Sequence, residues 1–370
     1  MAIVGVGHTV QGEHPGKSAE QLNVEAIEVA LADSGISKSD VDGLITCKSV
    51  QGDGTDVAVG AQLGLNPRFA QSLDYGTCNF SLHLAVMAIM AGLAETIVLS
   101  YGANARTGRF DFTGGRPDAG TARPAGLLHI AGPAGLALQR HKYLYGTTDE
   151  QFGWIAVAQR EWAQMNPVAI FRDPMTMDDY LAEPYMVEPL RRQDVTMISD
   201  GGVAVVVTAR DRVSQFATTP VYIIGMAERT DLRSYQNNAN LTRPWLASVA
   251  DDIWGKTGLG PSDIDVLYIQ DPSALWVLQM LEYYGFCAIG EAGPFLAEGH
   301  TRPGGSRPLN TNGGQLSESY AWGWLHICEA VRQLRGEAGE RQISGAEVAM
   351  YCSTMSFVKG AASILSLHPS

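Results

Sequence analysis

The chain has 370 residues, of which 45% are hydrophobic and 18% charged, and its formal net charge is −13. This length is long for one layer-packed domain and predicts two domains or one duplicated unit. The acidic balance argues against nucleic acid as a partner, and an anionic ligand would need a local basic pocket, for which the pair Arg191–Arg192 is a candidate.

Cysteine usage and hydropathy exclude further classes. The five cysteines are scattered without the spacing of a zinc site or a disulfide framework, so we expect no bound metal. Because no uncharged apolar run reaches about 18 residues, we expect no membrane span. The first residues lack the basic and long apolar regions of a signal peptide, so we expect a cytoplasmic protein.

Strand and helix patterns alternate from the start of the chain. Residues 2–6 predict a strand, and residues 18–34 predict an amphipathic helix. Ser18 and Gln21 have the spacing of a capping box at the start of that helix. The apolar run 95–103 predicts another strand. This alternation predicts an α/β fold with a mainly parallel sheet covered on both faces.

Residues 104–196 interrupt this alternation. They begin with a segment rich in Gly, Arg and Pro, continue with a helix pattern over 147–167, and end in a polar segment punctuated by prolines. A buried strand pattern resumes at 199–209. We therefore interpret 104–196 as an insertion in the sheet core.

An internal repeat organises the whole chain. The segment LADSGISKSDVDGLITC in the first part has a counterpart, WGKTGLGPSDIDVLYIQD, in the second. Each is followed further on by an apolar strand pattern, ETIVLSYG in one copy and AEVAMYCS in the other. The repeat predicts two similar halves, residues 1–210 with the insertion and residues 211–370.

Four stretches carry a resemblance to a known family. They are YGTTDEQFGWIAVAQREWAQMNP, SDGGVAVV, YYGFCAIGEAGPFLAEG and LNTNGGQLSESYAWGWLHICEAVRQLRGEAG. With them the chain resembles the thiolase superfamily, in particular its lipid-transfer-protein and sterol-carrier type. The resemblance implies a thiolase fold, in which two halves related by a pseudo-twofold axis form five layers. It also implies an inserted loop domain that helps to hold coenzyme A, and a homodimer.

The chain departs from the residues that thiolases of this type use for catalysis. These enzymes have a histidine in an HDCF-like motif and another in a GHP motif that follows NxxGG. Here Gln270 takes the place of the first histidine, and Tyr320 takes the place of the second. Glutamine donates a hydrogen bond but moves no proton, whereas tyrosine is a proton donor or acceptor for an alcohol or enolate. Cys352 matches the neighbourhood of a second thiolase cysteine.

The position of the thiolase nucleophile has two readings. Cys78 begins a long apolar helix pattern, and its sequence neighbours match the thiolase motif loosely. A thiol at a helix N-terminus is a candidate nucleophile because the site favours the thiolate. Counting without gaps from either side places Tyr75 there instead, so both residues stay candidates.

A subgroup of the lipid-transfer-protein type has lost the thiolase residues and cleaves β-hydroxyacyl-CoA by a retro-aldol reaction with tyrosines. The segment around Tyr320 resembles that subgroup, which has tyrosine where this chain has Gln270. The resemblance implies that Tyr320 handles the proton, and that Gln270 binds the thioester oxygen with backbone donors of Asn312, Gly313 and Gly314. Tyr75, Tyr268 and Asp271 are candidates for the second acid or base.

The resemblance also implies ligands and partners. We expect coenzyme A as acyl-CoA substrate, bound with help from Arg191 and Arg192, and a small zinc-ribbon/OB-fold acyl-CoA-binding partner protein. Two alternatives remain open at this point. One is a β-ketoacyl-CoA thiolase or acetyltransferase that depends on Cys78, and the other is a non-catalytic subunit that binds acyl-CoA.

Overall fold

A computed structural model describes residues 1–74, 76–112, 129–231, 243, 245–355 and 358–369. The strands are β1 (Ala2–His8), β2 (Gly43–Cys47), β3 (Phe69–Leu73), β4 (Thr96–Ala103), β5 (Tyr185–Val187), β6 (Leu190–Arg191), β7 (Gly201–Thr208), β8 (Val221–Thr230), β9 (Val266–Ile269), β10 (Val348–Met355) and β11 (Lys359–Ser366). The helices are α1 (Ala19–Ser34), α2 (Asp56–Leu63), α3 (Cys78–Met90), α4 (Ala131–Tyr145), α5 (Asp149–Gln164), α6 (Met177–Ala182), α7 (Leu246–Thr257), α8 (Ala274–Tyr283), α9 (Ala292–Ala297), α10 (Gly314–Ser317) and α11 (Trp324–Arg335).

One nine-stranded sheet runs through the molecule in the order β3-β2-β4-β7-β1-β8-β11-β10-β9. Strand β2 is parallel to β3 and β4, and β9 is parallel to β10. The other neighbours are antiparallel: β7 and β11 run against the strands on both of their sides, and β1 runs against β8. The expected mainly parallel sheet is therefore wrong, and the sheet is mixed.

The strand order repeats once along this sheet. The first part reads β2-β4-β7-β1, and the second reads β9-β10-β11-β8 in the opposite spatial direction. The two parts meet where β1 pairs with β8 over two residue pairs, Ala2 with Tyr222 and Ile3 with Val221. This order supports the predicted duplication, while the boundary at residue 210 stays a prediction.

The SDVD and SDID motifs of the repeat perform the same task in both parts. Asp42 accepts the backbone N–H of Glu95 at 2.9 Å and of Thr96 at 2.8 Å, where β4 begins. Asp265 accepts the N–H of Glu347 and of Val348, each at 2.9 Å, where β10 begins. A carboxylate after each short turn therefore satisfies the first N–H groups of a strand on the neighbouring segment.

The helices form layers around the two parts of the sheet. Helix α1 covers β1, β7 and β4, whereas α7 and α8 cover β8, β11 and β9. Helices α3 and α11 lie between the two parts, and both contact strands of the first and of the second part. The layers are therefore helix, sheet, helix, sheet, helix, as predicted. Within the described residues, none of the helices has the length and apolar character needed to cross a membrane.

The inserted segment packs mainly on the second part of the sheet. The helix predicted over 147–167 is α5, which begins after the N-cap Thr148 and its capping box with Gln151. Helix α5 contacts α8, α9 and α10, and α4 contacts α8. A segment that interrupts the first part thus reaches the turn that carries the candidate catalytic residues of the second.

The shared task of Asp42 and Asp265 can be tested by replacing each with alanine. We expect each change to lower the free energy of unfolding by about 1 kcal/mol, because two strand N–H groups lose their acceptor. Denaturant unfolding of both variants measures this loss, and replacement of the exposed Asp251 by alanine is the control, with an expected change below about 0.5 kcal/mol. A loss at one position and none at the other would contradict an equivalent role.

Candidate active site

Tyr320 is fixed through its main chain. Its N–H donates to the hydroxyl of Ser199 at 3.0 Å, and the same hydroxyl lies 3.0 Å from the Tyr320 carbonyl oxygen, to which it can donate. The side chain is 7% exposed, and its ring lies against Phe112 at 6.3 Å and Trp322 at 6.0 Å between centroids. The SDGG segment thus positions a nearly buried phenol among aromatic rings.

Asn310, the first residue of the NTNGG motif, attaches the turn to the end of β9. It adopts a left-handed φ of 49°, and its side-chain amide accepts the Ile269 N–H at 2.8 Å and donates to the Ile269 carbonyl at 2.9 Å. The side chain of Asn310 thus bonds both backbone groups of Ile269, as a residue of an adjacent strand would. The next residue on β9's side, Gln270, is fully buried, and its Oε1 accepts the Thr354 N–H at 3.0 Å.

The two glycines of the motif allow the inserted segment to pack on the turn. Gly313 and Gly314 have φ values of 99° and 63°, which favour glycine. A Cβ on Gly313 would lie 2.6 Å from the Cβ of Ala163 on α5, and a Cβ on Gly314 would lie 2.3 Å from Oδ2 of Asp271. These two glycines and Asn312 are buried and support the turn, while their predicted contact with coenzyme A stays a prediction.

Asp271 holds the same turn from the other side. Its carboxylate accepts the N–H of Gln315 at 2.9 Å and of Leu316 at 3.2 Å, and it lies 3.0 Å from Nε2 of His326. Ser273, and not Asp271, is the N-cap of α8, the helix after β9. Asp271 instead satisfies the first turn of α10, which the sequence did not place next to it.

Glu318 joins the turn to the inserted segment. Asn312 donates its side-chain N–H to Glu318, and Asn166 donates to the second carboxylate oxygen at 2.9 Å. The Ile170 N–H donates to the Glu318 carbonyl at 3.0 Å. Burial, reinforced by the charge of Glu329, raises the pKa of Glu318 to about 7. The sequence analysis missed Glu318. Its two asparagine donors are distant from each other in the sequence and come together only in the folded structure.

Cys78 is the first residue of α3, as predicted, but its surroundings do not favour a thiolate. The side chain is fully buried in an apolar cluster. Burial, together with the neighbouring Cys328 and Cys47, raises the pKa of the thiol well above its ordinary value. A nucleophilic thiol needs the opposite shift. Tyr75, the alternative candidate, lies outside the described residues.

Cys352 and its neighbour Tyr351 point to opposite faces of β10. Cys352 belongs to the cluster around α8 and lies next to Tyr284. Tyr351 belongs to the cluster that contains Cys78 and Tyr320. The sequence analysis chose Cys352, whereas the structure places Tyr351 on the side of Tyr320. The equivalent contacts of Asp42 and Asp265 pair Glu95 with Glu347, and this register makes Tyr351 the counterpart of Leu99, which faces the same cluster.

Tyr268 supports the turn through a buried polar network. Its hydroxyl lies 2.9 Å from that of Thr311, which donates to Glu329 at 3.0 Å. Glu329 is in turn paired with Arg341 at 2.8 Å. Burial raises the pKa of Tyr268 well above its ordinary value, which keeps the phenol neutral. Its candidacy as the second acid or base stays a prediction.

The two arginines predicted to help bind coenzyme A have different surroundings. Arg191 is nearly buried in the insertion, where its guanidinium lies 4.5 Å from the ring centroid of Tyr185 and 3.3 Å from Asp149. Arg192 is exposed, and one of its N–H groups donates to the Val195 carbonyl at 2.9 Å. Their contact with a ligand stays a prediction.

Comparisons with known proteins agree with this arrangement. The family model described as thiolase C-terminal domain-like matches residues 227–366. The chain is 36% identical to a steroid side-chain-cleaving aldolase of Thermomonospora curvata, over 90% of both chains. It is also 36% identical to a 17-hydroxy-3-oxo-4-pregnene-20-carboxyl-CoA lyase of Mycobacterium tuberculosis, over 90% of this chain and 91% of the other. A solved structure of the Ltp2-ChsH2(DUF35) aldolase superposes with a TM-score of 0.91 at 34% identity, over 99% and 97% of the two chains.

The chain therefore belongs to the thiolase superfamily, on its lipid-transfer-protein and aldolase-like branch. The predicted thiolase fold is confirmed. The assignment of Gln270 and Tyr320 to the two thiolase histidine positions stays a prediction.

The raised pKa of Glu318 predicts a pH dependence of stability. Its pKa in the folded state, about 7, lies above that of an ordinary glutamate, so the folded protein binds more protons between roughly pH 4.5 and 7. The contribution of Glu318 to the free energy of unfolding is therefore fully present below this range and is lost as the pH rises through 7. Relative to a Glu318→Gln variant, the wild type should lose about 2–3 kcal/mol between pH 5 and pH 8.

Denaturant unfolding of both proteins at these two pH values measures the difference. Asp194, whose pKa burial also raises to about 7, titrates in both proteins and cancels in the comparison. A difference between wild type and variant that is independent of pH would show that Glu318 does not titrate in this range.

Proposed function

We propose that this chain is an acyl-CoA lyase that cleaves a carbon–carbon bond of a β-hydroxyacyl-CoA by a retro-aldol reaction. The observation that carries this proposal is the position of Tyr320, held by Ser199 at the end of the NTNGG turn where a thiolase has a histidine. The relatives named as an aldolase and as an acyl-CoA lyase confirm the predicted class of enzyme.

The reaction needs one base and one site for negative charge. A base removes the proton of the β-hydroxyl group, and the O–H electrons form the carbonyl of the leaving ketone or aldehyde. The Cα–Cβ bond breaks, and its electron pair moves onto the thioester as an enolate. A proton then returns to the α-carbon and gives a shortened acyl-CoA. Tyr320 exchanges the proton with the β-hydroxyl, and Gln270 donates an N–H to the thioester oxygen.

The surroundings of Cys78 favour this reaction over thiolysis. Attack on a thioester requires a thiolate, and burial raises the pKa of Cys78. The positions from which thiolase histidines would assist are occupied by Gln270, which carries no titratable proton, and by Tyr320. The acyltransferase alternative therefore lacks both the activated nucleophile and the assisting imidazoles.

Binding of the coenzyme A moiety and assembly form the finer part of the proposal. The chain acts on a coenzyme A thioester, as the name of the Mycobacterium tuberculosis relative suggests, with Arg192 and the Asn312–Gly314 turn as contacts. We propose that it acts in the cytoplasm as a homodimer with a small zinc-ribbon/OB-fold partner. The structural relative is named as an aldolase of two components, one of them DUF35, which supports such a partner.

Two substitutions test the proposed chemistry with a β-hydroxyacyl-CoA and the chain purified together with any partner protein that accompanies it. Tyr320→Phe should lower the rate of ketone or aldehyde release by about 10²–10⁴-fold, because the proton transfer is lost. Cys78→Ala should retain activity within about threefold, as a packing thiol would. Release of the carbonyl product and of the shortened acyl-CoA is measured by liquid chromatography.

Tyr284→Phe serves as the matched control, because Tyr284 is equally buried and lies in the cluster around α8. Loss of activity in Cys78→Ala with full activity in Tyr320→Phe would support a thiolase instead. Full activity of the wild-type chain alone would count against a required partner.

A further inference from the structure

Three buried side chains that carry hydrogen-bond donors, Gln270, Gln315 and Tyr351, contact Gly323, three residues after Tyr320. Gly323 has a left-handed φ of 73°, and a Cβ placed on it would lie 2.1 Å from the Tyr351 hydroxyl and 3.0 Å from Cγ of Gln270. The absence of a side chain on Gly323 therefore leaves room for the Tyr351 hydroxyl and the side chain of Gln270 to lie side by side.

The side-chain amide of Gln270 has a bonded oxygen and an unbonded nitrogen among the described residues. Its Oε1 is occupied by the Thr354 N–H at 3.0 Å, which fixes the orientation of the amide. Among the described residues, no acceptor lies within hydrogen-bond distance of its Nε2, although the side chain is fully buried. A buried donor of this kind is rare in folded proteins and indicates a group that is satisfied by a ligand or water.

Gln315 repeats this arrangement from the other side of Gly323. Its Oε1 accepts the Gly323 N–H at 2.9 Å, and its carbonyl oxygen accepts the hydroxyl of Thr196 at 2.8 Å. Its Nε2 is buried and has no acceptor among the residues that the structure describes. In both glutamines, a backbone N–H group binds Oε1 and fixes the orientation of the amide. Within the described part of the chain, Nε2 of each is left without an acceptor.

The Tyr351 hydroxyl completes the group. It stands beside Thr77 and Ser353, whose hydroxyls lie 2.7 Å from each other. Burial, with the neighbouring Cys78 and Asp271, raises the pKa of Tyr351 well above its ordinary value. The phenol is therefore a neutral donor at all ordinary pH values, and it does not act as a base.

We infer that Gln270, Gln315 and Tyr351 form a pocket of three donors that binds the thioester oxygen and stabilises the enolate of the retro-aldol step. This inference rests on the proposed function and adds Gln315 and Tyr351 to it. Donors that are buried and fixed in advance stabilise a developing oxyanion more than solvent does. The carboxylate of Asp271, which lies next to Gln315, accepts three hydrogen bonds of its own, so it does not compete for these donors.

Binding of two unreactive coenzyme A analogues tests the pocket separately from catalysis. One analogue carries a carboxylate at the position of the thioester carbonyl, and the other is a thioether with a methylene group there. The wild type should bind the carboxylate analogue at least tenfold more tightly than the thioether, measured by isothermal titration calorimetry.

Gln315→Glu keeps the acceptor for the Gly323 N–H and replaces the donor by an anionic oxygen, so it should reduce this preference at least tenfold. Tyr351→Phe removes one hydroxyl and should reduce it about tenfold, because a hydrogen bond to a charged group is lost. Tyr284→Phe should leave the preference unchanged. If Gln315→Glu does not fold, as judged by circular dichroism, Tyr351→Phe decides the outcome.

An equal affinity of the wild type for both analogues, or an unchanged preference in Tyr351→Phe and in folded Gln315→Glu, would overturn the inference. A different result would contradict the proposed function: the wild type would prefer the carboxylate analogue but would not cleave β-hydroxyacyl-CoA. Cleavage by the wild type with no anion preference would overturn the donor pocket alone.

Discussion

The site depends on one buried carboxylate, that of Asp271. It is fully inaccessible to solvent, and it accepts two backbone N–H groups of α10 and faces the imidazole of His326. A carboxyl group in the interior is costly unless such partners satisfy it, so the positions of the turn and of α11 are tied to Asp271. The path of residues 314–320 follows from this constraint, and with it the direction in which Tyr320 leaves the turn.

The inserted segment and the second part of the sheet share the task of supporting this turn. Ala163 on α5 fits against Gly313 without space for a Cβ, and Asn166 donates to both the Asn312 carbonyl and Glu318. Ser199 then holds the main chain of Tyr320 at the end of the turn. Three separate segments, the insertion, the end of β9 and the SDGG segment, therefore support the turn.

The sequence predicted the layers, the repeat and the turn because each depends on local patterns. Ser18 and Gln21 form the predicted capping box, and the paired SDVD and SDID motifs place equivalent carboxylates. The prediction of a mainly parallel sheet failed because β11 follows β10 after a short connection and pairs antiparallel with it, and because β7 lies antiparallel between β1 and β4. Hydrophobic periodicity encodes neither strand direction. Gln315 and Tyr351 were missed because they lie 36 residues apart in the chain and come together beside Gly323 only in the folded structure.

The central claim is that carbon–carbon cleavage proceeds at Tyr320 and the donor pocket without a covalent intermediate on Cys78. Intact-protein mass spectrometry of the enzyme, acid-quenched during steady-state turnover of a β-hydroxyacyl-CoA, tests this directly. The account predicts an unmodified protein mass while the carbonyl product and shortened acyl-CoA accumulate. A mass increase equal to the acyl group, mapped to Cys78 by peptide analysis, would contradict it and identify the chain as a thiolase.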